Sequence, residues 1–299
     1  MSSKPAIGTV VIPLDGSRLA EAALTYGQLI AGRTGATLHL VQVIAEESNA
    51  ALERVAKNYL KHVSANSQMA TTTEVRAGDP ASEILAATAG QANPIIVMAT
   101  HGRSGVGRWL IGSVADRVVR GGGAPVLMLR SGVVQPDPET IHTIIVPLDG
   151  STLAEQALPV AETLANLFGA KLSCLRVADT TPLFRNFGMA YLPMPADVLD
   201  QLITDMTNDA TEYLESVADR MRESGLVVET TALAGLPTDR LLGQIHQQHA
   251  SLVVMATHGR GGVRRLVLGS VAERLLLLGQ TPIVMVPVLD ADRQGTAEP

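Results

Sequence analysis

The chain carries the same nine-residue pattern twice, and this repeat constrains its fold more than any other feature. Residues 95–103 read Ile-Ile-Val-Met-Ala-Thr-His-Gly-Arg, and residues 252–260 read Leu-Val-Val-Met-Ala-Thr-His-Gly-Arg. In both copies nine residues separate the glycine of this pattern from a Gly-Ser pair, at 112–113 and at 269–270. An apolar run that leads into a glycine- and arginine-bearing loop and then into a new helix is a layout typical of anion binding. The two copies indicate two domains of one kind.

Length and composition agree with two globular domains. The chain has 299 residues, of which 46% are hydrophobic, and typical domains have about 150 residues. Aromatic residues make up only 3% of the chain, so aliphatic side chains must build the cores. The formal net charge of −6 disfavours a general nucleic-acid or acidic-membrane surface. A single cysteine, Cys174, and the lack of an apolar targeting or membrane-spanning stretch predict a soluble, cytoplasmic protein.

Each half predicts five strands that alternate with helices. Thr9–Asp15 and Thr143–Asp149 are β-branched runs that end in Asp-Gly-Ser, which indicates a buried strand and then a turn. The other strands are predicted at 37–44, 71–76, the first repeat and 125–129, and at 171–177, 227–233, the second repeat and 282–286. Nearly all-apolar strands between helices are typical of a parallel sheet covered on both faces. The predicted fold class is α/β, with two tandem doubly wound, five-stranded parallel-sheet domains of strand order 3-2-1-4-5.

The pattern also predicts where the domains begin and end. We expect domains at 1–132 and 141–289, a linker at 133–140, and a flexible tail at 290–299. The offset between equivalent residues rises from 134 to 157 positions, so the second domain carries 23 additional residues around 180–204. A surface loop that packs on the other domain is the favoured interpretation, and a lid over a site at the sheet edge is the alternative. In the second domain, Pro159 predicts a kink in the first helix.

The chemistry is expected where the first and fourth strands of each half end. Ligands of an open parallel sheet bind beyond the carboxyl ends of the strands where the strand order reverses, and the order 3-2-1-4-5 brings these two ends together. Asp15 and Asp149 close the first strands, and glycines after the fourth strands let the backbone approach a ligand. The Gly-Ser pairs open helices whose N–H groups and dipole favour an anion. Arginines concentrate in the same segments and favour phosphate contact, at Arg103, Arg108, Arg260, Arg264 and Arg265.

Several of these residues have a structural alternative. The sequence Asp-Gly-Ser is equally consistent with an Asx turn or a helix cap at Asp15 and Asp149. The serines of the Gly-Ser pairs also suit helix N-caps. We expect His101 and His258 to order their loops, and no neighbouring ligands in the sequence predict a metal site. The phosphate-loop and dinucleotide glycine signatures are absent, which argues against NAD-type chemistry.

With these motifs, each half resembles a universal stress protein domain, and the whole resembles a tandem universal stress protein from Ile7 to Arg130 and from Ile141 to Val288. The ATP-binding motif of that family is Gly-x2-Gly-x9-Gly-[Ser/Thr]. Here it corresponds to Ala99-x2-Gly102-x9-Gly112-Ser113 and to Ala256-x2-Gly259-x9-Gly269-Ser270. Both copies depart from it in the same way, with alanine in place of the first glycine.

The resemblance implies a Rossmann-like adenine-nucleotide site in each half. Asp15 and Asp149 would face the adenosine part of ATP, and Val43 and Val177 would meet adenine through their backbones. The residues after the fourth strand and the Gly-Ser pairs would hold the phosphates, in this family often with a divalent ion such as Mg²⁺. The first-half set is Pro13, Leu14, Asp15, Val43, Gly78, Met98, Ala99, His101, Gly102, Arg103, Gly105, Gly112, Ser113 and Val114. The second-half set is Pro147, Leu148, Asp149, Val177, Gly235, Met255, Ala256, His258, Gly259, Arg260, Gly262, Gly269, Ser270 and Val271.

The function implied by the resemblance is an ATP-binding stress-response module whose output is a conformational or partner-binding change. No catalytic residue is assigned. The alternatives are a slow ATP hydrolase or phosphotransferase, and a family member that works through protein contacts alone. Intact glycine motifs in both halves argue against the last. Fusion of two domains predicts an internal pseudo-dimer with unidentified protein partners, and a homodimer is a further alternative because family members often pair through their fifth strands.

Overall fold

The computed structural model describes residues 7–100, 112–130, 141–183, 195–257 and 268–288. The strands of the first half are β1 (Thr9–Pro13), β2 (Thr37–Ile44), β3 (Thr71–Ala77), β4 (Pro94–Ala99) and β5 (Val126–Leu129). Its helices are α1 (Arg18–Thr34), α2 (Ala50–Ala65), α3 (Pro80–Ala89) and α4 (Ser113–Gly121).

The second half repeats this order of elements. Its strands are β6 (Thr143–Pro147), β7 (Lys171–Asp179), β8 (Val228–Gly235), β9 (Leu252–Ala256) and β10 (Ile283–Val286). Its helices are α5 (Thr152–Glu155), α6 (Leu158–Phe168), α7 (Ala196–Arg222), α8 (Pro237–Gln247) and α9 (Ser270–Leu278).

The strands form one ten-stranded sheet in the order β3-β2-β1-β4-β5-β10-β9-β6-β7-β8. Within each half every pairing is parallel, which confirms the α/β class and the strand order 3-2-1-4-5. The two halves meet through an antiparallel pairing of β5 with β10, in which Leu127 lies opposite Val284. Sequence periodicity predicted two five-stranded sheets, and it did not predict that they are continuous.

The sheet is covered by helices on both faces, and its strands alternate between the two resulting cores. In β1, Val10 and Ile12 face one core, whereas Val11 faces the other. The first core includes buried side chains of α1, α2, α6 and α7. The second includes those of α3, α4, α8 and α9. The inner strands, such as β1 and β9, are buried on both sides and therefore read as continuous apolar runs in the sequence. The outermost strands β3 and β8 are partly exposed and contain polar residues.

Two local expectations need correction. The first helix of the second half is not merely kinked near Pro159 but divided into α5 and α6, and the proline occupies the first turn of α6. Proline lacks an N–H and is tolerated in a first helical turn but not in a helix interior, so the chain breaks there. The helical spacing of Leu19, Ala22, Ala23, Tyr26 and Ile30 in the sequence predicts that these residues form the buried face of α1. Ala23, Tyr26 and Ile30 are indeed buried, whereas Ala22 is exposed.

The additional residues of the second half do not form only a loop. Helix α7 has 27 residues against 16 in its counterpart α2, so part of the insertion lengthens this helix. The aromatic segment 184–194 lies outside the described residues, and the predicted loop or lid there stays a prediction. In the described part of the chain, no helix is long and apolar enough to cross a membrane.

Candidate functional site

The carboxyl ends of β1 and β6 both lead into a side-chain-stabilised turn. The Asp15 carboxylate accepts a hydrogen bond from the Ser17 N–H at 2.9 Å, and the Asp149 carboxylate accepts one from the Ser151 N–H at 2.9 Å. Each serine then caps the following helix through its hydroxyl oxygen. The Asx-turn alternative is therefore correct for both aspartates. It positions these partly exposed carboxylates at the edge of the sheet in both halves.

Beside this turn, the backbone of the second strand extends past the end of the first. The Leu14 N–H donates to the Val41 carbonyl at 2.8 Å, and the Gly78 N–H donates to the Ile44 carbonyl at 3.0 Å. Backbone groups of successive residues in a strand point to opposite neighbouring strands, and those of residues two apart point to the same one. Val43, like Val41, therefore directs its N–H and C=O towards β1. Because β1 ends at Pro13, the polar backbone of Val43 faces the space beyond that strand.

The second half reproduces this arrangement. The Leu148 N–H donates to the Leu175 carbonyl at 2.7 Å, so Val177 directs its backbone towards the space beyond β6. The side chains of Val43 and Val177 pack against the same core as Val114 and Val271, on the face of the sheet that carries α4 and α9. Backbone donors and acceptors at such an edge can recognise the polar rim of a planar base.

Two glycines close the same edge with a backbone conformation that other residues rarely adopt. Gly78 has φ +139° and Gly235 has φ +138°. A β-carbon at Gly78 would lie 3.3 Å from the Glu83 side chain, and one at Gly235 would lie 2.8 Å from Nε of Arg240. Both glycines are therefore required by the fold of their loops. The side chain nearest to the glycine is acidic in the first half, where it is Glu83, and basic in the second half, where it is Arg240.

The helices α4 and α9 begin at the carboxyl ends of β4 and β9. The Gly112 N–H donates to the Thr100 carbonyl at 2.8 Å, and the Gly269 N–H donates to the Thr257 carbonyl at 3.0 Å. These glycines are the N-cap residues, and among the described residues no side chain caps the first turn. The prediction that Ser113 caps its helix is therefore wrong, and so is the equivalent prediction for Ser270.

A glycine cap leaves the helix start open to an external anion. The N–H groups of a first helical turn have no partner within their own helix, and the helix dipole favours negative charge there. Ser113 and Ser270 are the first residues of their helices and are exposed. Their hydroxyl groups are therefore available beside these N–H groups in both halves.

In the first half, an ion pair joins α4 to the start of α3. Arg117 on α4 donates two hydrogen bonds of 2.7 Å to the Asp79 carboxylate, which also accepts the Ser82 N–H at the start of α3. The hydrogen bonds from Arg117, followed by those from Ser82, hold the pKa of this carboxyl well below its usual range. The second half has Leu236 at the position of Asp79, with 53% of its surface exposed, so this link is specific to the first half.

The other predicted site residues that the structure describes lie at or next to the carboxyl ends of β1, β4, β6 and β9. Leu14, Met98, Leu148 and Met255 are buried in the cores beside the sheet. Pro13 and Ala99 are partly exposed, whereas Pro147 and Ala256 are buried. The eight loop residues of the prediction lie outside the described residues, namely His101, Gly102, Arg103, Gly105, His258, Gly259, Arg260 and Gly262.

Sequence reasoning missed the residues that anchor the site. Thr100 and Thr257 are buried and fasten the helix starts to β4 and β9, although only their presence in both repeats marks them in the sequence. Asp79 was part of a recognised Ala-Gly-Asp-Pro turn, but its partner Arg117 is 38 residues away and no local pattern connects them. Among the described residues, no group of three or more His, Cys, Asp or Glu side chains is placed to hold a metal ion.

A doubly wound sheet with a glycine-capped helix start beyond each switch point defines a class of α/β proteins in which a helix N-terminus, whose dipole favours anions, lies at the carboxyl ends of the strands. A model of the universal stress protein family matches residues 6–130 and 140–287. The chain therefore belongs to the universal stress protein family and contains two of its domains.

Known members of the family match half or all of the chain. The universal stress protein MJ0531 of Methanocaldococcus jannaschii is 30% identical over 159 residues, covering 53% of this chain and 89% of its own. The universal stress protein Mb2028c of Mycobacterium bovis is 23% identical, and the match covers 92% of this chain and 96% of that protein. Among solved structures, a universal stress protein from Archaeoglobus fulgidus has a TM-score of 0.68 at 19% identity, covering 93% of this chain and 98% of its own. The last comparison supports the fold across both halves.

Proposed function

We propose that this protein binds ATP at both sheet edges and acts as a nucleotide-dependent module of the stress response. The proposal rests on the arrangement at the carboxyl ends of the strands, which is the same in both halves. In each half a glycine-capped helix start, an aspartate turn and an extended second-strand backbone lie around one switch point. All three features lie at the carboxyl ends of the strands where the strand order reverses, which is where open parallel sheets bind their ligands.

The described residues fit the parts of ATP separately. The helix start at Gly112 and Ser113 suits the phosphates, because its N–H groups carry no side-chain cap. The backbone of Val43 suits an adenine edge, and Asp15 suits a sugar hydroxyl. The chain's own residues would thus bind and orient the nucleotide. Calorimetric titration with ATP in the presence and absence of Mg²⁺ tests whether the ion takes part in phosphate binding.

We assign the binding role rather than catalysis. Hydrolysis of the terminal phosphate requires a positioned water and a base close to it. Asp15 and Asp149 are engaged in turns beside the second strand, which this proposal places at the sugar end of the nucleotide. We place the protein in the cytoplasm, as two domains that span residues 1–132 and 141–289, with at most weak ATPase activity.

The test is calorimetric titration of the purified chain with ATP, adenosine and cyclic AMP. The informative variant combines Ser113→Glu with Ser270→Glu. A carboxylate in a first helical turn suits the helix dipole, so the fold should survive while the phosphates are repelled. We expect ATP affinity to fall about tenfold or more, which is about 1.4 kcal/mol per factor of ten.

The matched control combines Ser113→Thr with Ser270→Thr, which retains the hydroxyl and should retain ATP affinity. Adenosine binding should change little in either variant, because adenosine lacks phosphates. Absence of ATP binding to the unmodified protein would refute the proposal. Release of inorganic phosphate with multiple turnover in the same samples would instead favour an ATP hydrolase. The double variant Gly102→Val with Gly259→Val tests the loop positions of the family motif, and binding should be lost.

A further inference from the structure

Helices α2 and α7 occupy equivalent places in the two halves. The Tyr59 hydroxyl on α2 donates to Glu21 at 2.9 Å, and the Tyr213 hydroxyl on α7 donates to Glu155 at 3.0 Å. The leucine after each tyrosine is buried in the same core. These contacts align the 16 residues of α2 with residues 204–219 of α7.

The aligned helices carry opposite charge on their exposed surfaces. Helix α2 has three basic residues, Arg54, Lys57 and Lys61, and its single acid, Glu53, is paired with Lys57 at 2.6 Å. Residues 204–219 of α7 contain no basic residue and five acidic ones, listed here as Asp205, Asp209, Glu212, Glu215 and Asp219. Solvated helix surfaces usually mix both signs, so two equivalent surfaces of opposite sign call for an explanation.

The charged residues form stripes that match in spacing. Arg54, Lys57 and Lys61 are separated by three and then four residues, which places them on one face of α2. On α7, the acids Glu212, Asp209 and Asp205 show the same three-then-four spacing when the helix is read backwards. Two such helices in antiparallel contact would therefore bring three pairs of opposite charge together. Glu212 and Asp209 form no ion pair with described residues.

One chain cannot make this contact with itself. Helix α2 packs on β2 and β3, and α7 packs on β7 and β8, which are the opposite ends of the ten-stranded sheet. Nine strand-to-strand steps of about 4.8 Å separate β3 from β8, or roughly 43 Å. The pairing of β5 with β10 also occupies the inner edges through which separate domains could have joined. The complementary helix must therefore come from another molecule.

We infer that α2 of one chain binds α7 of a second copy of this chain. Both helices lie on the same face of the sheet, since both contribute to the same core. A second copy that is turned by a two-fold axis therefore places α2 on α7 at both ends, and the pair closes with two identical contacts. The inference is independent of nucleotide binding, because none of its residues belongs to the proposed ATP sites.

Sedimentation velocity of the full-length protein tests this association. At about 50 mM salt we expect a concentration-dependent dimer, and at about 500 mM salt we expect its dissociation constant to rise tenfold or more, because screening shortens the reach of the charges. The variant Arg54→Glu, Lys57→Glu, Lys61→Glu should remain monomeric, and so should Asp205→Lys, Asp209→Lys, Glu212→Lys. Circular dichroism should report unchanged helix content in both.

Mixing the two triple variants is the decisive step. Each now carries one sign of charge on both helices, so an equimolar mixture should form the mixed dimer that neither variant forms alone. The control Arg54→Lys, Lys57→Arg, Lys61→Arg keeps the charges and should associate like the unmodified chain. A monomeric unmodified protein at low salt would overturn the inference, as would dimers that persist in both triple variants or a mixture that stays monomeric.

Discussion

The junction between the halves offers a direct test of how the two domains share stability. Leu127 on β5 is 2% exposed and lies opposite Val284 on β10. It lines an apolar pocket together with Tyr26 and Ile30 of the first half and with Leu164 and other residues of the second. Leu127→Ala therefore removes atoms that contact both halves, and we expect it to destabilise the folded chain without disturbing either candidate site.

The structure sets the expected magnitude. The substitution removes three carbon atoms from a fully buried position, which at about 0.8 kcal/mol each costs about 2.4 kcal/mol of transfer free energy. Incomplete closure of the resulting cavity adds to this cost, and buried Leu→Ala changes span about 2–5 kcal/mol, so we expect about 3 kcal/mol. With an unfolding entropy of about 2.1 cal/mol/K per residue, a chain of this length loses about 5 °C in Tm if it unfolds as one unit.

Differential scanning calorimetry and urea unfolding measure these quantities. If the halves unfold separately, the same free-energy loss acts on about half the chain, and the Tm of one transition falls by about 10 °C while the other stays in place. Leu127→Met keeps the volume and should cost less than about 1.5 kcal/mol. A loss below about 1 kcal/mol for Leu127→Ala would refute the packing argument.

Two further predictions concern titratable groups. Because the folded-state pKa of Asp79 is depressed by Arg117, its ion pair stabilises the chain above the unfolded pKa of about 4, and this contribution is lost as the pH falls towards the folded value. Asp79→Asn should therefore lower the urea midpoint at about pH 5, and the difference from the unmodified protein should shrink only as the pH falls below about 4 towards the folded value, whereas a pH-independent difference would contradict this assignment. Burial raises the pKa of the Cys174 thiol to about 11. A thiol reagent at about pH 8 should react with the unfolded chain, and rapid labelling of the folded protein would show that the thiol is accessible.

The fold was largely predictable because its signals are local. The apolar runs at β1 and β6, and the 3.6-residue periodicity of the helices between strands, are properties of neighbouring residues. The strand order is the one that the doubly wound fold predicts, with a reversal between the first and fourth strands. The break between α5 and α6 was harder to place, since Pro159 shows only that the helix is interrupted, and tertiary packing decides whether it bends or divides.

The candidate site was predictable to the level of its strands and its glycines. Asp15 was identified because it stands directly after a buried run, and Gly112 because its spacing from Gly102 recurs in the second half. The role of Ser113 was assigned wrongly, since the sequence Gly-Ser does not show which of the two residues begins the helix. The Thr100 carbonyl decides this by accepting the Gly112 N–H from 12 residues further along the chain, a contact with no signal in the sequence.

The sequence by itself determined that this chain has two equivalent α/β domains, each with a glycine-rich segment after its fourth strand. Those properties depend on the order and spacing of residues. Tertiary structure alone decided that β5 and β10 join the domains into one sheet, that Arg117 reaches Asp79, and that α2 and α7 lie at opposite ends. These features depend on groups far apart in the chain, and only packing around the shared core brings them together or holds them apart.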